Sequence, residues 1–270
     1  MIASREYVLS KLNEYTLFPK KKYGQNFLID SRTVLKIVDA LEVKDGDIIY
    51  EIGPGLGALS ELLAAKNQPL YLYDIDENMV DHLKNVFKMF PHVEVIKENF
   101  LKVQDNNKVT KIIGNLRYYI TTSLIEHVLL NFDISDFVFM VQAEVEERLI
   151  AKRKTKEYGP LSIFIEQFFE IEKVCKVSKM AFYPAPHVDS AVFKIKFKPT
   201  EENKKKYYLF LKEIFSQRRK TISNNLGGMF KSKEEGMKIL SSINIPFNKR
   251  PEELTLEEIY SLYKAITISK

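Results

Sequence analysis

The 270-residue chain contains one cysteine, Cys175, and no tryptophan. A single cysteine excludes an internal disulfide and a zinc cluster built on several thiolates. Cys175 lies in an alternating run typical of a strand, where a small apolar filler is the expected role. Because a chain without disulfides is typical of a reducing compartment, we expect a cytoplasmic protein.

The sequence also lacks long hydrophobic runs. No apolar stretch approaches the length that crosses a membrane, and the N-terminus has no apolar core of the signal-peptide type. The four histidines have no cysteine or second histidine at metal-ligand spacing, so we assign no metal site. The hydrophobic fraction of 45% and the charged fraction of 29% are those of an ordinary globular protein, for which we expect no membrane contact.

The most informative stretch is residues 51–57, Glu-Ile-Gly-Pro-Gly-Leu-Gly. It follows an apolar strand-like run and precedes a helix predicted over residues 58–64, an order that brings the backbone and a helix N-terminus close to a ligand. The glycine spacing differs from that of a dinucleotide site. Asp74 closes the next apolar run, where a carboxylate can accept both ribose hydroxyls. Together these features favour a nucleoside without a diphosphate, such as S-adenosylmethionine; the alternative is a tight turn without a ligand.

Strands alternate with helices from residue 47 to residue 141, which predicts an α/β fold with a doubly wound parallel sheet. Ligands bind such sheets at the carboxyl ends of the strands. The residues at or just past four of these ends are polar: Glu51, Asp74, Asn99 and Asn115. We therefore expect one site at this edge of the sheet.

The rest of the chain divides into a sheet edge and a helical part. Two strand-like runs, residues 169–177 and 190–197, predict an antiparallel hairpin at the sheet edge. Residues 143–168 have helical character, with a break near residue 159. After a polar linker the pattern is helical to the end. We predict an N-terminal arm and catalytic domain over residues 1–199 and a helical domain over residues 200–270.

The run Asn115-Leu116-Arg117-Tyr118 fits the chemistry of a nucleobase amine. The lone pair of the adenine N6 nitrogen is delocalised into the ring. The side-chain oxygen of Asn115 and the carbonyl of Leu116 can accept hydrogen bonds from the two N–H groups of this amine. Tyr118 can stack on the base. Phe182, in a loop stiffened by prolines, can form the second face. The alternatives are a strand-end asparagine beside a packed tyrosine and a hairpin connection with a buried phenylalanine.

Positive charge is concentrated in residues 201–231. This segment has eight Lys and Arg residues against three Glu, a net charge of +5 that equals the net charge of the whole chain. Its centre is Arg218-Arg219-Lys220, interleaved with Gln, Ser, Thr and Asn. Such a mixture favours contacts with the phosphates and 2′-hydroxyls of structured RNA. The alternative is a solvated helix face.

Four motifs in this order resemble those of the KsgA-type (RsmA) ribosomal RNA adenine dimethyltransferases. They are residues 23–28 (Tyr-Gly-Gln-Asn-Phe-Leu), 51–57, 182–192 (Phe-Tyr-Pro-Ala-Pro-His-Val-Asp-Ser-Ala-Val) and 215–220 (Phe-Ser-Gln-Arg-Arg-Lys). The resemblance implies a Rossmann-like S-adenosylmethionine-dependent methyltransferase domain followed by a small all-helical domain. It also implies dimethylation of N6 of two adjacent adenines in the 3′-terminal hairpin loop of small-subunit rRNA, with S-adenosylhomocysteine as product.

The resemblance also implies roles for individual residues. The cofactor-binding set is Asn26, Leu28, Gly53, Gly55, Asp74, Ile75, Asn99, Phe100 and Asn115, and the target adenine is held by Asn115, Leu116, Tyr118 and Phe182. RNA contacts are expected from Lys20, Lys21, Lys22, Arg218, Arg219 and Lys220. The expected partner is small-subunit rRNA within a pre-assembled small ribosomal subunit, bound by a monomer.

Three positions depart from the usual pattern of this family. Arg117 replaces a proline that fixes the backbone beside the Leu116 carbonyl, Asn99 replaces an aspartate, and Asp74 replaces a glutamate. Arg117 leaves one alternative open, a ribosome-assembly factor on the same scaffold with weak or no methyl transfer. A separate alternative, less favoured by residues 215–220 and the helical C-terminal pattern, is a large-subunit rRNA adenine methyltransferase of the resistance type.

Overall fold

The computed structural model describes residues 2–14, 26–106, 108–116, 120–230 and 232–268. The chain divides into two compact units. The first consists of Met1–Glu146 and Ile171–Phe197, and the second of Glu147–Glu170 and Lys198–Lys270. Within the described residues, none of the helices combines the length and the apolar character needed to span a bilayer.

The first unit has the alternation of helices and strands that the sequence predicts. Its helices are α1 (Arg5–Glu14), α2 (Ser31–Ala40), α3 (Ser60–Ala64), α4 (Glu77–Val86), α5 (Thr121–Asn131) and the first four residues of α6 (Ala143–Leu149). Its strands are β1 (Phe27–Leu28), β2 (Ile49–Ile52), β3 (Leu70–Asp74), β4 (Val93–Lys97), β5 (Lys111–Asn115), β6 (Asp136–Gln142), most of β7 (Phe169–Val177), β8 (Phe182–Tyr183) and β9 (Ser190–Phe197).

Seven of these strands form one sheet in the order β4-β3-β2-β5-β6-β9-β7. Strands β4, β3, β2, β5 and β6 are parallel neighbours, and β9 runs antiparallel to β6. The predicted parallel α/β sheet is confirmed. The two runs predicted at the sheet edge, β7 and β9, are indeed neighbours there.

The strand order reverses between β2 and β5, because β3 and β4 follow β2 in one direction and β6 follows β5 in the other. Ligands of open α/β sheets bind at the carboxyl ends of the strands at such a reversal. Ile52 pairs with Gly114 in the register of these strands. A Cβ atom on Gly114 would lie 2.8 Å from the Ile52 carbonyl oxygen, so only glycine permits this approach.

The second unit is helical. In chain order its helices after α6 are α7 (Pro160–Phe168), α8 (Lys204–Ile214), α9 (Ile222–Phe230), α10 (Lys233–Ser242) and α11 (Leu256–Ile268). At the start of α11, Thr255 Oγ1 accepts from the Glu258 backbone N–H at 3.1 Å. Glu258 Oε2 accepts from the Thr255 N–H at 2.9 Å. These two reciprocal hydrogen bonds form a capping box.

Residues Glu147–Glu170 belong to the second unit, whereas the sequence-based division placed them before residue 199. The physical reason is aromatic packing. The rings of Phe164 and Tyr208 have centroids 4.9 Å apart, and those of Phe168 and Tyr207 are 5.1 Å apart. The spacing of apolar residues shows that α7 has a buried face, but it does not show that this face packs on α8. The functional division at residue 199 stays a prediction.

Two lysines of the first unit are almost completely buried and share one carboxylate. The side chains of Lys111 and Lys194 are 4% and 1% exposed. Their Nζ atoms lie 2.9 Å and 3.3 Å from the oxygens of Asp136. Lys111 also donates to the carbonyls of Leu41 and Glu42, and Lys194 donates to the Glu42 carboxylate at 2.6 Å. Burial raises the pKa of Asp136, but the hydrogen bonds from Ser135 and Lys111 and the two ammonium charges outweigh it, so this pKa is lowered.

Replacing Asp136 by Asn should destabilise the fold strongly, because two buried ammonium groups would lose their shared negative charge. We expect a loss of about 3–5 kcal/mol in the free energy of unfolding, measured by urea denaturation. Asp133→Asn is the matched control, since Asp133 is exposed and its loss should change stability by less than about 0.5 kcal/mol. Equal effects of the two substitutions would show that the buried cluster contributes nothing.

Candidate active site

The glycine turn after β2 has a backbone conformation that glycine adopts much more easily than other residues. Gly53, Gly55 and Gly57 have positive φ angles of 65°, 58° and 91°. A Cβ atom on Gly57 would also lie 3.1 Å from the Leu83 side chain, so both conformation and packing demand glycine. Helix α3 begins at Ser60, two residues after the predicted start at residue 58, because the turn extends over residues 55–59.

Glu51, the acid that precedes the turn, is buried beneath it. Its side chain is 1% exposed, and its Oε2 atom accepts a hydrogen bond of 2.6 Å from the Ser60 hydroxyl. Burial raises the pKa of Glu51 to about 8; the Ser60 hydrogen bond opposes this rise, and the nearby charge of Asp74 adds to it. Glu51 is therefore mainly neutral at pH 7, so the fold does not bury an unpaired carboxylate charge away from water.

Asp74 lies where β3 ends and ties the glycine turn to that strand. Its Oδ1 atom accepts from the Asp76 backbone N–H at 2.9 Å, and its Oδ2 atom accepts from the Gly55 N–H at 3.4 Å. A carboxylate has about four acceptor positions, so it can accept from hydroxyl donors as well as from backbone N–H groups. The location and the acceptor chemistry fit the predicted ribose contact.

Two asparagine amides at strand ends are oriented by backbone groups. The Leu101 N–H, which can only donate, lies 3.1 Å from Asn99 Oδ1. The Asn26 carbonyl, which can only accept, lies 3.5 Å from Asn115 Nδ2. These contacts turn the amide nitrogen of Asn115 towards Asn26 and leave its oxygen on the opposite side. In Asn99 the orientation is reversed, because the backbone engages the oxygen.

The strand ends enclose a cleft with two adjoining lobes. Both lobes are lined by Gly53, Asn115 and Leu116. The first lobe also has Asn26, Leu28, Glu51 and Gly55 in its wall, and the second has Asp74, Ile75, Asn99 and Phe100. Their empty volumes are about 710 and 610 Å³, open solvent included. All nine residues predicted to bind the cofactor thus lie around one cleft, with acceptors and apolar surface of the kind that S-adenosylmethionine requires.

The residues predicted to hold the target adenine are placed less uniformly. Asn115 and Leu116 line both lobes, and the Leu116 N–H donates to the Met140 carbonyl at 3.2 Å. Tyr118, Arg117 and the three lysines at positions 20–22 lie outside the described residues.

Phe182 is in the core of the first unit instead of the cleft wall. It pairs with Leu28 in the antiparallel β1–β8 ladder, and its side chain is only 3% exposed. Stacking on a base would require this ring to leave the core. The proposed stacking role of Phe182 therefore stays a prediction, and the alternative of a buried phenylalanine describes its observed packing.

The cleft also has residues that the sequence did not indicate. Ile2 and Val8, from the N-terminal segment and α1, line the first lobe. Ile120 and Leu124 line the second lobe. These side chains belong to no polar motif, and the only sequence signal was the helical spacing of apolar residues.

In the second unit the basic motif forms the turn between α8 and α9. The Arg218 guanidinium donates to the Glu252 carboxylate at 2.6 Å, to the Thr155 carbonyl at 2.8 Å and to the Lys156 carbonyl. Arg218 thus stabilises the unit through these hydrogen bonds, and its predicted RNA contact stays a prediction. Arg219 and Lys220 are exposed.

The mostly parallel sheet, its antiparallel β9 strand and the cleft beside a glycine turn define an S-adenosylmethionine-dependent methyltransferase. The chain belongs to the family described as ribosomal RNA adenine dimethylase, whose model matches residues 18–267. This confirms the resemblance found in the sequence and the predicted methyl donor.

Individual relatives agree with this family. The chain is 40% identical over 272 residues to ribosomal RNA small subunit methyltransferase A of Leuconostoc mesenteroides, with 94% of this chain and 92% of that protein covered. It is 36% identical over 282 residues to the protein of the same name from Lactobacillus johnsonii, covering 97% and 95%. The crystal structure of a dimethyladenosine transferase from Plasmodium falciparum superposes with a TM-score of 0.73 at 26% identity, covering 87% of this chain and 95% of that one.

The substitution Glu51→Gln tests the buried acid. The pKa of Glu51 is about 8 in the folded protein and 4.5 without burial, so its contribution to stability is complete below pH 4.5 and is lost as pH rises through 8. We expect the free energy of unfolding of the ligand-free variant, relative to that of the wild type, to rise steadily with pH across that window. Urea unfolding at a series of pH values measures this difference. Glu94→Gln, at an exposed position, is the control and should show no such trend. A difference for Glu51→Gln that is constant with pH would contradict the assignment.

Proposed function

We propose that this protein dimethylates N6 of two adjacent adenines in the 3′-terminal hairpin loop of small-subunit rRNA, with S-adenosylmethionine as methyl donor. The observation that carries the proposal is the position of Asn115 and Leu116 at the boundary of both lobes. A group held there faces the nucleoside lobe on one side and the glycine-turn lobe on the other. The small-subunit substrate is supported by the names of the relatives from Leuconostoc mesenteroides and Lactobacillus johnsonii.

The chemistry assigned to this chain is positioning. When bound, the cofactor supplies a methyl group activated by a sulfonium. Asp74 and Asn99 hold its nucleoside part. The Asn115 oxygen and the Leu116 carbonyl accept hydrogen bonds from the two N–H groups of the target amine, which favours a pyramidal nitrogen with a more available lone pair. The amine loses one proton for each methyl group that it gains. The lobe around Leu116 also has apolar side chains in its wall, among them Ile120 and Leu124.

The substrate form and setting are part of the proposal. The protein acts in the cytoplasm as a monomer on rRNA within a pre-assembled small ribosomal subunit. The assembly-factor alternative depended on Arg117, which lies outside the described residues, and the relatives' names favour the enzyme. The decisive experiment is transfer of labelled methyl groups from S-adenosylmethionine to small subunits that lack the modification, followed by mass mapping of the rRNA. Dimethyladenine in the 3′-terminal hairpin is the expected result; subunits that bind the protein but take up no label would favour the assembly factor.

Asn115→Ala should lower turnover on small subunits by about 100-fold to 1,000-fold, because one acceptor for the target amine is removed. The affinity for S-adenosylmethionine, measured by calorimetry, should change much less. Asn99→Ala is the matched control: the same truncation at the nucleoside lobe should weaken cofactor binding. If Asn115→Ala loses cofactor affinity as severely as turnover, its role at the target nitrogen is contradicted.

Combined replacement of Arg219 and Lys220 by Ala should reduce the salt dependence of subunit binding. Loss of two phosphate contacts should lower the log–log slope by about 1.5. The double substitution of Lys233 and Lys238, both exposed on α10, removes the same charge elsewhere in the unit and serves as the control. Arg218→Ala should instead lower the melting temperature, because its hydrogen bonds are internal. Identical salt-dependence slopes for the two double variants would show that the turn is not part of the RNA interface.

A further inference from the structure

Helix α1 precedes the part of the chain that the family model matches, which begins at residue 18. It is nevertheless integral to the first unit. Ile2, Ala3, Val8 and Leu12 are buried in the same hydrophobic cluster as Leu56 and Leu59 of the glycine-turn segment. Ile2 and Val8 also line the first lobe of the cleft, together with that segment.

Polar contacts tie this N-terminal segment to the elements that frame the lobe. The Ile2 N–H donates to the Glu61 carboxylate of α3 at 2.7 Å. The Tyr7 hydroxyl lies 3.3 Å from Nε2 of His82, and the same nitrogen lies 3.4 Å from the Leu56 carbonyl. His82 therefore connects α1 to the glycine turn through a single ring nitrogen.

The two lobes offer different chemistry to one ligand. The second lobe contains Asp74 and Asn99, whose acceptors and position suit a nucleoside. The first lobe must then receive the remainder of the cofactor, its sulfur and amino-acid chain. Apart from the polar groups around Asn26 and Glu51, the wall that faces this remainder includes the aliphatic side chains of Ile2 and Val8. Aliphatic carbon suits the methylene groups of a methionine chain and excludes water from them.

We propose that residues 2–14 are part of the cofactor site: Ile2 and Val8 form the wall against the methionine chain of S-adenosylmethionine, and the docked α1 helix slows cofactor exchange. The inference rests on the proposed function only in taking S-adenosylmethionine as the ligand. It adds a binding element that precedes the four sequence motifs, the first of which begins at residue 23.

The test compares two truncations on the same helix with S-adenosylhomocysteine as the probe. Val8→Ala removes part of the lobe wall, whereas Leu12→Ala removes buried carbon from α1 that is not part of that wall. We expect Val8→Ala to bind about tenfold more weakly in calorimetry and to release the ligand faster in stopped-flow measurements, a change of about 1.4 kcal/mol. Leu12→Ala should lower the melting temperature but keep the affinity within about twofold. Unchanged affinity of Val8→Ala, or an equal loss in Leu12→Ala, would overturn the proposal.

A second measurement needs no substitution. Hydrogen exchange of the α1 amides in the wild-type protein should slow when S-adenosylhomocysteine binds, because the ligand completes the surface on which the helix docks. Exchange that is unaffected at saturating ligand would overturn the proposal even if a variant failed to fold. Failure of the wild-type chain to bind the probe would instead contradict the cofactor assignment, so the two failures are distinguishable.

Discussion

The close approach of β2 and β5 is the constraint on which the site depends. Parallel pairing of Ile52 with Gly114 places the strands at the point where the sheet order reverses. Since a Cβ atom on Gly114 would collide with the Ile52 carbonyl, this geometry requires a residue without a side chain. The residues that follow these two in the chain, Gly53 and Asn115, both line the cleft. One steric requirement thus joins the cofactor turn to the residue assigned to the target amine.

The opposite ends of the strands fix the register that this arrangement needs. Lys111 at the start of β5 pairs with Asp136 at the start of β6, both in the strand ladder and through their charged groups. Asn115 follows four residues later on β5, opposite Met140. A slip of one residue would turn every side chain to the other face of the sheet and would separate the buried charges. The ionic cluster at one edge therefore helps to specify which side chains reach the edge where ligands bind.

The sequence allowed the residues around the cleft to be grouped in advance because strand ends can be located by pattern. Apolar runs end where polar residues begin, and parallel strands bring those ends together, so Asp74, Asn99 and Asn115 could be grouped without coordinates. The remaining features depend on tertiary packing. Nothing in the local sequence distinguishes a phenylalanine that faces a cleft from one that packs in a core, as Phe182 does. Likewise, a basic motif does not indicate that Arg218 is bonded within its own unit while Arg219 is exposed.

The same distinction explains why the basic turn contains residues of different kinds. A surface that binds phosphates needs charges held in a fixed place, yet a charge used internally is no longer available to the ligand. Asn225 accepts from the Gln217 N–H at 3.0 Å and donates to the Gln217 carbonyl at 3.3 Å, which fixes the turn on one side. Arg218 fixes it on the other through Glu252. Asn225 and Arg218 therefore provide the rigidity, and Arg219 and Lys220 provide exposed charge. A motif that keeps both kinds of residue together can present cations without the entropic cost of ordering a mobile loop when an anionic ligand binds.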